Sequence, residues 1–97
     1  YSLDCGGIMI DKKIFEKLAD IEHIRWSNWQ KYVHSICIKN EDGSLTIPKE
    51  FVEGWKRQIN TKYDNLTETE KISDRKEVKK YLKIIVDNIN KHKDKSA

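Results

Sequence analysis

Hydrophobic residues recur at steps of three and four over the first part of the chain, which predicts an amphipathic helix from Asp11 to about Ile38. Asp11 is a residue type favoured at the N-cap, and neither Pro nor Gly interrupts the run that follows it. We therefore expect one long first helix. Its apolar face would consist of Phe15, Leu18, Ala19, Trp26, Trp29, Val33 and Ile36.

A polar turn and a short helix are expected next. Residues 40–44 include Asn, Asp and Gly, which tolerate turn dihedrals. Thr46 would cap the helix, and Pro48 is tolerated in its first turn, where the missing amide has no partner to lose. A small hairpin that pairs residues 36–38 with 45–47 is an alternative, which we rank below the helical interpretation. The apolar face of the short helix would be Phe51, Val52, Trp55 and Ile59.

A second long helix is predicted for the end of the chain. After an extended linker over residues 61–66, Thr67 and Glu70 fit a capping box. The helix would run to about Lys91, and no segment alternates well enough to predict a strand. The expected fold is all-α, with two long antiparallel helices and a short helix across them. The core stripe of the last helix would be Val78, Leu82, Ile85 and Ile89.

The segments outside these helices give the domain boundaries. Residues 1–8 show no periodicity and include paired glycines, so we expect a flexible leader or a cloning remnant, with Met9 at the natural start and the leader segment ending at residue 10. Residues 11–91 form the predicted helical domain, and residues 92–97 form a basic tail that frays. At 97 residues the chain is long enough for one compact domain.

The charge distribution favours a solvated surface. Nineteen basic and 16 acidic residues give a net charge of +3, and the two signs are interspersed along the chain. A nucleic-acid partner is not expected, because such proteins concentrate basic residues on one face; Lys79, Lys80, Lys83 and the tail carry this weaker alternative. There is no apolar run of membrane-spanning length and no basic-then-apolar leader, so we expect a cytoplasmic protein without a membrane partner.

No pattern in the sequence indicates a catalytic or metal-binding centre. The three histidines are far apart, and Cys5 and Cys37 are too widely separated for a zinc site or a secreted disulfide framework. A nucleophile–base pair such as Cys37 with His34 would fit one helix face, but no oxyanion donor or orienting group accompanies it. We expect no catalytic residue, no metal and no cofactor, and therefore a function in binding.

Two stretches of the chain carry a pair of motifs. Residues 18–26 read Leu-Ala-Asp-Ile-Glu-His-Ile-Arg-Trp, and residues 63–75 read Tyr-Asp-Asn-Leu-Thr-Glu-Thr-Glu-Lys-Ile-Ser-Asp-Arg. In order and separation they resemble the ryanodine-receptor (RyR) repeat family, whose signatures are Leu-Ala-acidic-x-x-His-x-x-Trp and Tyr-x-x-Leu-x-x-x-Glu-Lys-x-x-Asp-Arg. The matching motif positions include Leu18, His23, Leu66, Glu70, Lys71 and Asp74.

The resemblance covers about residues 12–85 and departs from the channel members of the family between the two motifs. Their Gly-Trp turn, basic loop and His-Pro pair are replaced by residues 33–62, and Lys62 stands where a proline usually precedes the motif tyrosine. The chain therefore looks like the short stand-alone form found in bacteria and phages. That resemblance implies a helical ligand-sensing module, with a nucleotide-derived signal as its implied ligand.

General chemistry gives the motif residues structural roles. Trp26 is large, and we expect it in the core rather than on a ligand platform. His23 lies three residues earlier on the same helix face and is expected to be half-buried, with its ring bonded to a carboxylate or to the backbone. Asp74 is favoured early in the last helix by the helix dipole, and Arg75 is expected to reach an acidic residue of the first helix.

Two binding functions follow as hypotheses. The first is a non-enzymatic site for a nucleotide-like small molecule, since indole faces stack on bases and guanidinium groups bind phosphate. The second is a protein-interaction or assembly module, in which exposed aromatic residues and a long helix bind a protein partner or form a homodimer. The candidate residues for the small-molecule site are Arg25, Trp26, Trp29, Trp55, Arg57, Tyr63 and Arg75.

Overall fold

A computed structural model of the 97-residue chain describes residues 2–5 and 8–95, with the side chains of residues 10–90. The described part is mostly helical, which confirms the predicted class. Its elements in chain order are β1 (Ser2–Cys5), β2 (Ile8–Asp11), α1 (Lys12–Ile36), β3 (Ile38–Lys39), β4 (Leu45–Thr46), α2 (Lys49–Ile59), a 3-10 turn (Tyr63–Asn65) and α3 (Glu68–Lys95).

The chain divides into two compact units. Unit 1 contains the residues up to Arg25 together with those from Asp74 onward, and unit 2 contains Trp26–Ser73. Unit 1 therefore includes β1, β2, the first half of α1 and most of α3. Unit 2 includes the end of α1, β3, β4, α2, the 3-10 turn and the first turns of α3. The predicted arrangement of two antiparallel helices with α2 across them stays a prediction.

A β-hairpin occupies the segment in which the sequence showed no periodicity. β1 and β2 pair antiparallel, with Ser2 opposite Asp11 and Cys5 opposite Ile8. The expectation of no strand was therefore wrong here, because backbone pairing forms this hairpin without an alternating apolar pattern that a sequence could reveal. The flexibility expected of residues 1–10 stays a prediction. At the other end α3 continues to Lys95, beyond the predicted end near Lys91.

Helix α1 begins where the sequence predicted and ends slightly earlier. The side chain of Asp11 caps it by accepting a hydrogen bond from the Lys13 amide at 3.0 Å. The helix ends at Ile36. It does not reach Ile38 because that residue pairs with Thr46 in the second hairpin.

That second hairpin, β3–β4, is the alternative that the sequence analysis ranked below a helix. Its turn is held by Asp42, whose carboxylate accepts hydrogen bonds from the hydroxyl of Ser44 at 2.5 Å and from the amide of Ser44 at 2.9 Å. The hydroxyl foremost, and then the amide, lower the pKa of Asp42. Gly43 has a φ of 87°, a conformation that glycine adopts without steric cost. The local polar bonds at the turn therefore outweigh the helical periodicity of residues 36–38.

The cap of α2 differs from the prediction. Pro48 occupies the N-cap position, and its carbonyl accepts from the amides of Phe51 and Val52 at 3.1 and 3.2 Å. Thr46 does not cap the helix because it belongs to β4, where its hydroxyl accepts from the Asn40 amide group at 3.0 Å.

The capping box at the start of α3 is confirmed. The Glu70 amide donates to the Thr67 hydroxyl at 3.2 Å, and the Thr67 amide donates to the Glu70 carboxylate at 3.0 Å. Two amide groups that the first helical turn cannot satisfy are thereby paired.

We expect Thr67→Ala to lower the free energy of unfolding by about 1 kcal/mol, because the Glu70 amide loses its acceptor. Urea unfolding followed by far-UV circular dichroism measures this loss. Thr67→Ser is the matched control, since it keeps the hydroxyl and should retain most of the stability. Equal losses in the two variants would show that the hydroxyl does not act as the cap.

Candidate functional site

Large apolar side chains are exposed along most of the chain. Among the described side chains of residues 10–90, no apolar or polar side chain is fully buried. Folded domains of this size normally hide a contiguous set of apolar side chains from water. The exposed large side chains are Phe15, Ile24, Trp26, Trp29, Tyr32, Ile38, Leu45, Ile47, Ile59, Tyr63, Ile72, Val78, Leu82, Ile85, Val86 and Ile89.

The predicted core stripe of α3 is part of this exposed surface. Val78, Leu82, Ile85 and Ile89 are 58%, 51%, 36% and 55% exposed, and all four lie in unit 1. We call these four residues the α3 stripe. The prediction that they form a core within the chain was wrong for the described structure. The half-buried side chains of this part of α3 are those one position earlier, namely Glu77, Tyr81, Ile84 and Asn88.

An aromatic cluster organises unit 2. Trp29 on α1 lies against Trp55 on α2, with ring centroids 5.6 Å apart and planes tilted by 57°. Tyr32 and Phe51 extend the cluster at centroid distances of 5.5 Å from Trp29 and 5.8 Å from Trp55. Such tilted pairs suit the quadrupoles of aromatic rings. The cluster therefore joins the end of α1 to α2.

The carboxylate of Glu70 is the polar centre of unit 2. Besides the Thr67 amide, it accepts hydrogen bonds from Gln58 and from Arg57, and the side chain is only 15% exposed. The donors, with Gln58 foremost and then Arg57, lower the pKa of Glu70 to about 2. Glu70 thus ties the end of α2 to the start of α3.

Glu22 has the corresponding role in unit 1. Its carboxylate accepts from the guanidinium of Arg25 on the same helix and from the hydroxyl of Tyr81 on α3. Arg25 foremost, and then Tyr81, lower the pKa of Glu22 to about 2, while the pKa values of Arg25 and Tyr81 are raised by the same contacts. The Tyr81 contact holds the first half of α1 to α3.

The candidate ligand residues are divided between the two units. Arg25 and Arg75 belong to unit 1, whereas the other five belong to unit 2. Of these, Trp29 and Trp55 are in contact, and Arg57 is committed to Glu70. The remaining candidates in unit 2 are Trp26, which is 53% exposed, and Tyr63, whose ring lies 5.6 Å from the ammonium of Lys71.

Two predicted burial states were wrong. Trp26 was expected in the core but is exposed, and His23 was expected to be half-buried but is also exposed. Both lie on α1. Leu18 and Leu66 are half-buried, Lys71 is half-buried, and Asp74 is exposed near the start of α3.

Other features of the described part of the chain offer little chemistry. No group of three His, Cys, Asp or Glu side chains among the described residues is placed to hold a metal ion. Cys37 is a half-buried free thiol. No described helix combines the length and apolar character needed to cross a membrane. An open depression along the start of α1 is lined by Asp11, Lys12, Lys13, Glu16, Lys17 and Asp20.

Comparisons of the chain with known proteins found no matching family model, no matching curated protein and no matching solved structure. The first RyR-like motif, residues 18–26, lies within α1, and the second, residues 63–75, spans the 3-10 turn and the start of α3. The RyR resemblance stays a prediction that rests on these motifs alone.

Proposed function

We propose that this chain is a protein-interaction module whose apolar helix faces are covered by another polypeptide chain. The observation that supports this function is the exposure of the large apolar side chains, together with the absence of a buried side chain among residues 10–90. An exposed apolar helix face such as the α3 stripe is typical of a protein-binding face. Its cytoplasmic location, expected from the sequence, is part of this proposal.

A nucleotide-like ligand is the alternative function, and the geometry favours it less. A phosphate would need guanidinium donors, but Arg25 is bonded to Glu22 and Arg57 to Glu70. Trp29 and Trp55 cover part of each other's faces, which leaves less indole surface for a base. The RyR resemblance is the reason for considering this alternative. It does not indicate which residues would distinguish one nucleotide-like ligand from another.

The binding of 8-anilinonaphthalene-1-sulfonate (ANS) to the dilute chain tests the proposed function. We expect helical circular dichroism together with strong ANS fluorescence, because the apolar faces have no cover at low concentration. A helical chain that binds no more ANS than a compact globular protein would contradict the proposal. A saturable thermal shift with nucleotides, lost in Trp55→Ala but not in Trp26→Ala, would favour the ligand function instead.

A further inference from the structure

We propose that the partner is a second copy of this chain, which docks antiparallel on the α3 stripe about a two-fold axis. The inference rests on the proposed function and adds the surface and the occupant. It follows from the way α3 distributes its side chains, from the spacing of the stripe and from the amount of surface left exposed.

On helix α3 a more polar row of side chains is half-buried, whereas the apolar α3 stripe is exposed. Glu77, Tyr81, Ile84 and Asn88 are all half-buried, and Tyr81 bonds to Glu22 of α1. The α3 stripe lies one residue further along, which rotates it by about 100° around the helix axis. Hydrophobic burial would favour the opposite choice within an isolated chain. The exposed stripe is therefore the one that remains for a partner.

The spacing of the α3 stripe is self-complementary. Its four residues are separated by steps of four, three and four, which is the spacing of the seam in paired helices. These steps have the same order in both chain directions. In an antiparallel pair, each stripe residue of one copy therefore lies opposite a stripe residue of the other copy. Leu82 then faces Ile85 of the second copy, and Val78 faces Ile89. Such a surface fits the isologous interface of a two-fold dimer.

The residues beside the stripe suit the antiparallel orientation. In the antiparallel pair Lys79 lies beside Val86 of the second copy. Its aliphatic stem can cover that side chain while its ammonium group stays in water.

The exposed area is sufficient for such a dimer. The chain exposes 8173 Å², whereas a folded monomer of 11.5 kDa exposes about 5,800 Å². A standard interface buries about 800 Å² per partner. The excess is therefore larger than a stable dimer requires.

Sedimentation equilibrium on the native chain, Leu82→Asn and Ile59→Asn tests the inference. We expect the native chain to have about twice the 11.5 kDa chain mass and Leu82→Asn to weaken the dimer at least about tenfold. Ile59, at the end of α2, is 79% exposed and lies outside the stripe. Ile59→Asn makes a comparable apolar-to-polar change and should keep the native mass.

Three results would overturn the inference. A dimer that survives in Leu82→Asn would place the interface elsewhere while leaving the proposed function intact. A native monomer that binds ANS strongly would mean that a different protein covers the stripe. A native monomer that binds no ANS would overturn the proposed function as well. Because the native mass is decisive by itself, the test does not depend on whether Leu82→Asn remains folded.

Discussion

Trp55→Ala is expected to lower the free energy of unfolding of unit 2 by about 3 kcal/mol, the lower end of what removal of a large aromatic side chain costs. Trp55 contacts both Trp29 and Phe51, so the substitution removes the ring that joins α1 to α2. Aromatic pairs contribute about 0.5–1.5 kcal/mol each beyond the burial of their area. The measurement is urea unfolding followed by far-UV circular dichroism, which does not depend on tryptophan emission.

Trp26→Ala is the matched control for this prediction. The same atoms are removed, but Trp26 is 53% exposed, so the loss should be about 1 kcal/mol or less. If the two variants lost equal stability, the ring contacts of Trp55 would not be the source of the stability of unit 2.

Acid is expected to destabilise both units through two carboxylates. The pKa of Glu22 and that of Glu70 are each lowered from 4.5 to about 2 by hydrogen-bond donors. Each carboxylate therefore binds its proton more weakly in the folded chain than in the unfolded chain. Its stabilising contribution is complete above about pH 4.5 and is lost as the pH falls towards about 2. The midpoint of thermal unfolding should fall across this window.

Three variants separate the contributions to that fall. Glu22→Gln and Glu70→Gln should each lower the midpoint at neutral pH and flatten the fall in acid, because each removes one titrating group. Tyr81→Phe keeps the Glu22 carboxylate but removes a donor, which raises the pKa of Glu22 in the folded chain. The part of the fall due to Glu22 should therefore be smaller and should end at a higher pH. A fall in Glu70→Gln as steep as that of the native chain would refute the assignment of Glu70.

The local signals in the sequence predicted the helices well. The Asp11 cap and the Thr67–Glu70 capping box are confirmed, since each depends on residues only two or three positions apart. The first hairpin was missed because backbone pairing between its strands fixes it without an apolar alternation. The second was ranked below a helix because its two-residue strands leave no alternation to detect. Side-chain bonds at Asp42 decided the second of them.

The candidate site was predicted less well. Periodicity identified the α3 stripe as apolar but could not show what covers it, because an apolar face looks the same whether it packs within the chain or against a partner. The hydrogen bond between Tyr81 and Glu22 joins residues far apart in sequence. A capping box or a helix face gives no sign of such a contact. The sequence placed Trp29 and Trp55 on two helices without showing that they touch.

The dependence of thermal unfolding on chain concentration tests the central claim most directly. If a second copy covers the α3 stripe, the midpoint measured by circular dichroism should rise steadily over about a hundredfold increase in concentration, because association stabilises only the folded chain. The rise should be much smaller in Leu82→Asn. A midpoint of the native chain that stays constant over the whole range would contradict the claim that a second copy covers the stripe.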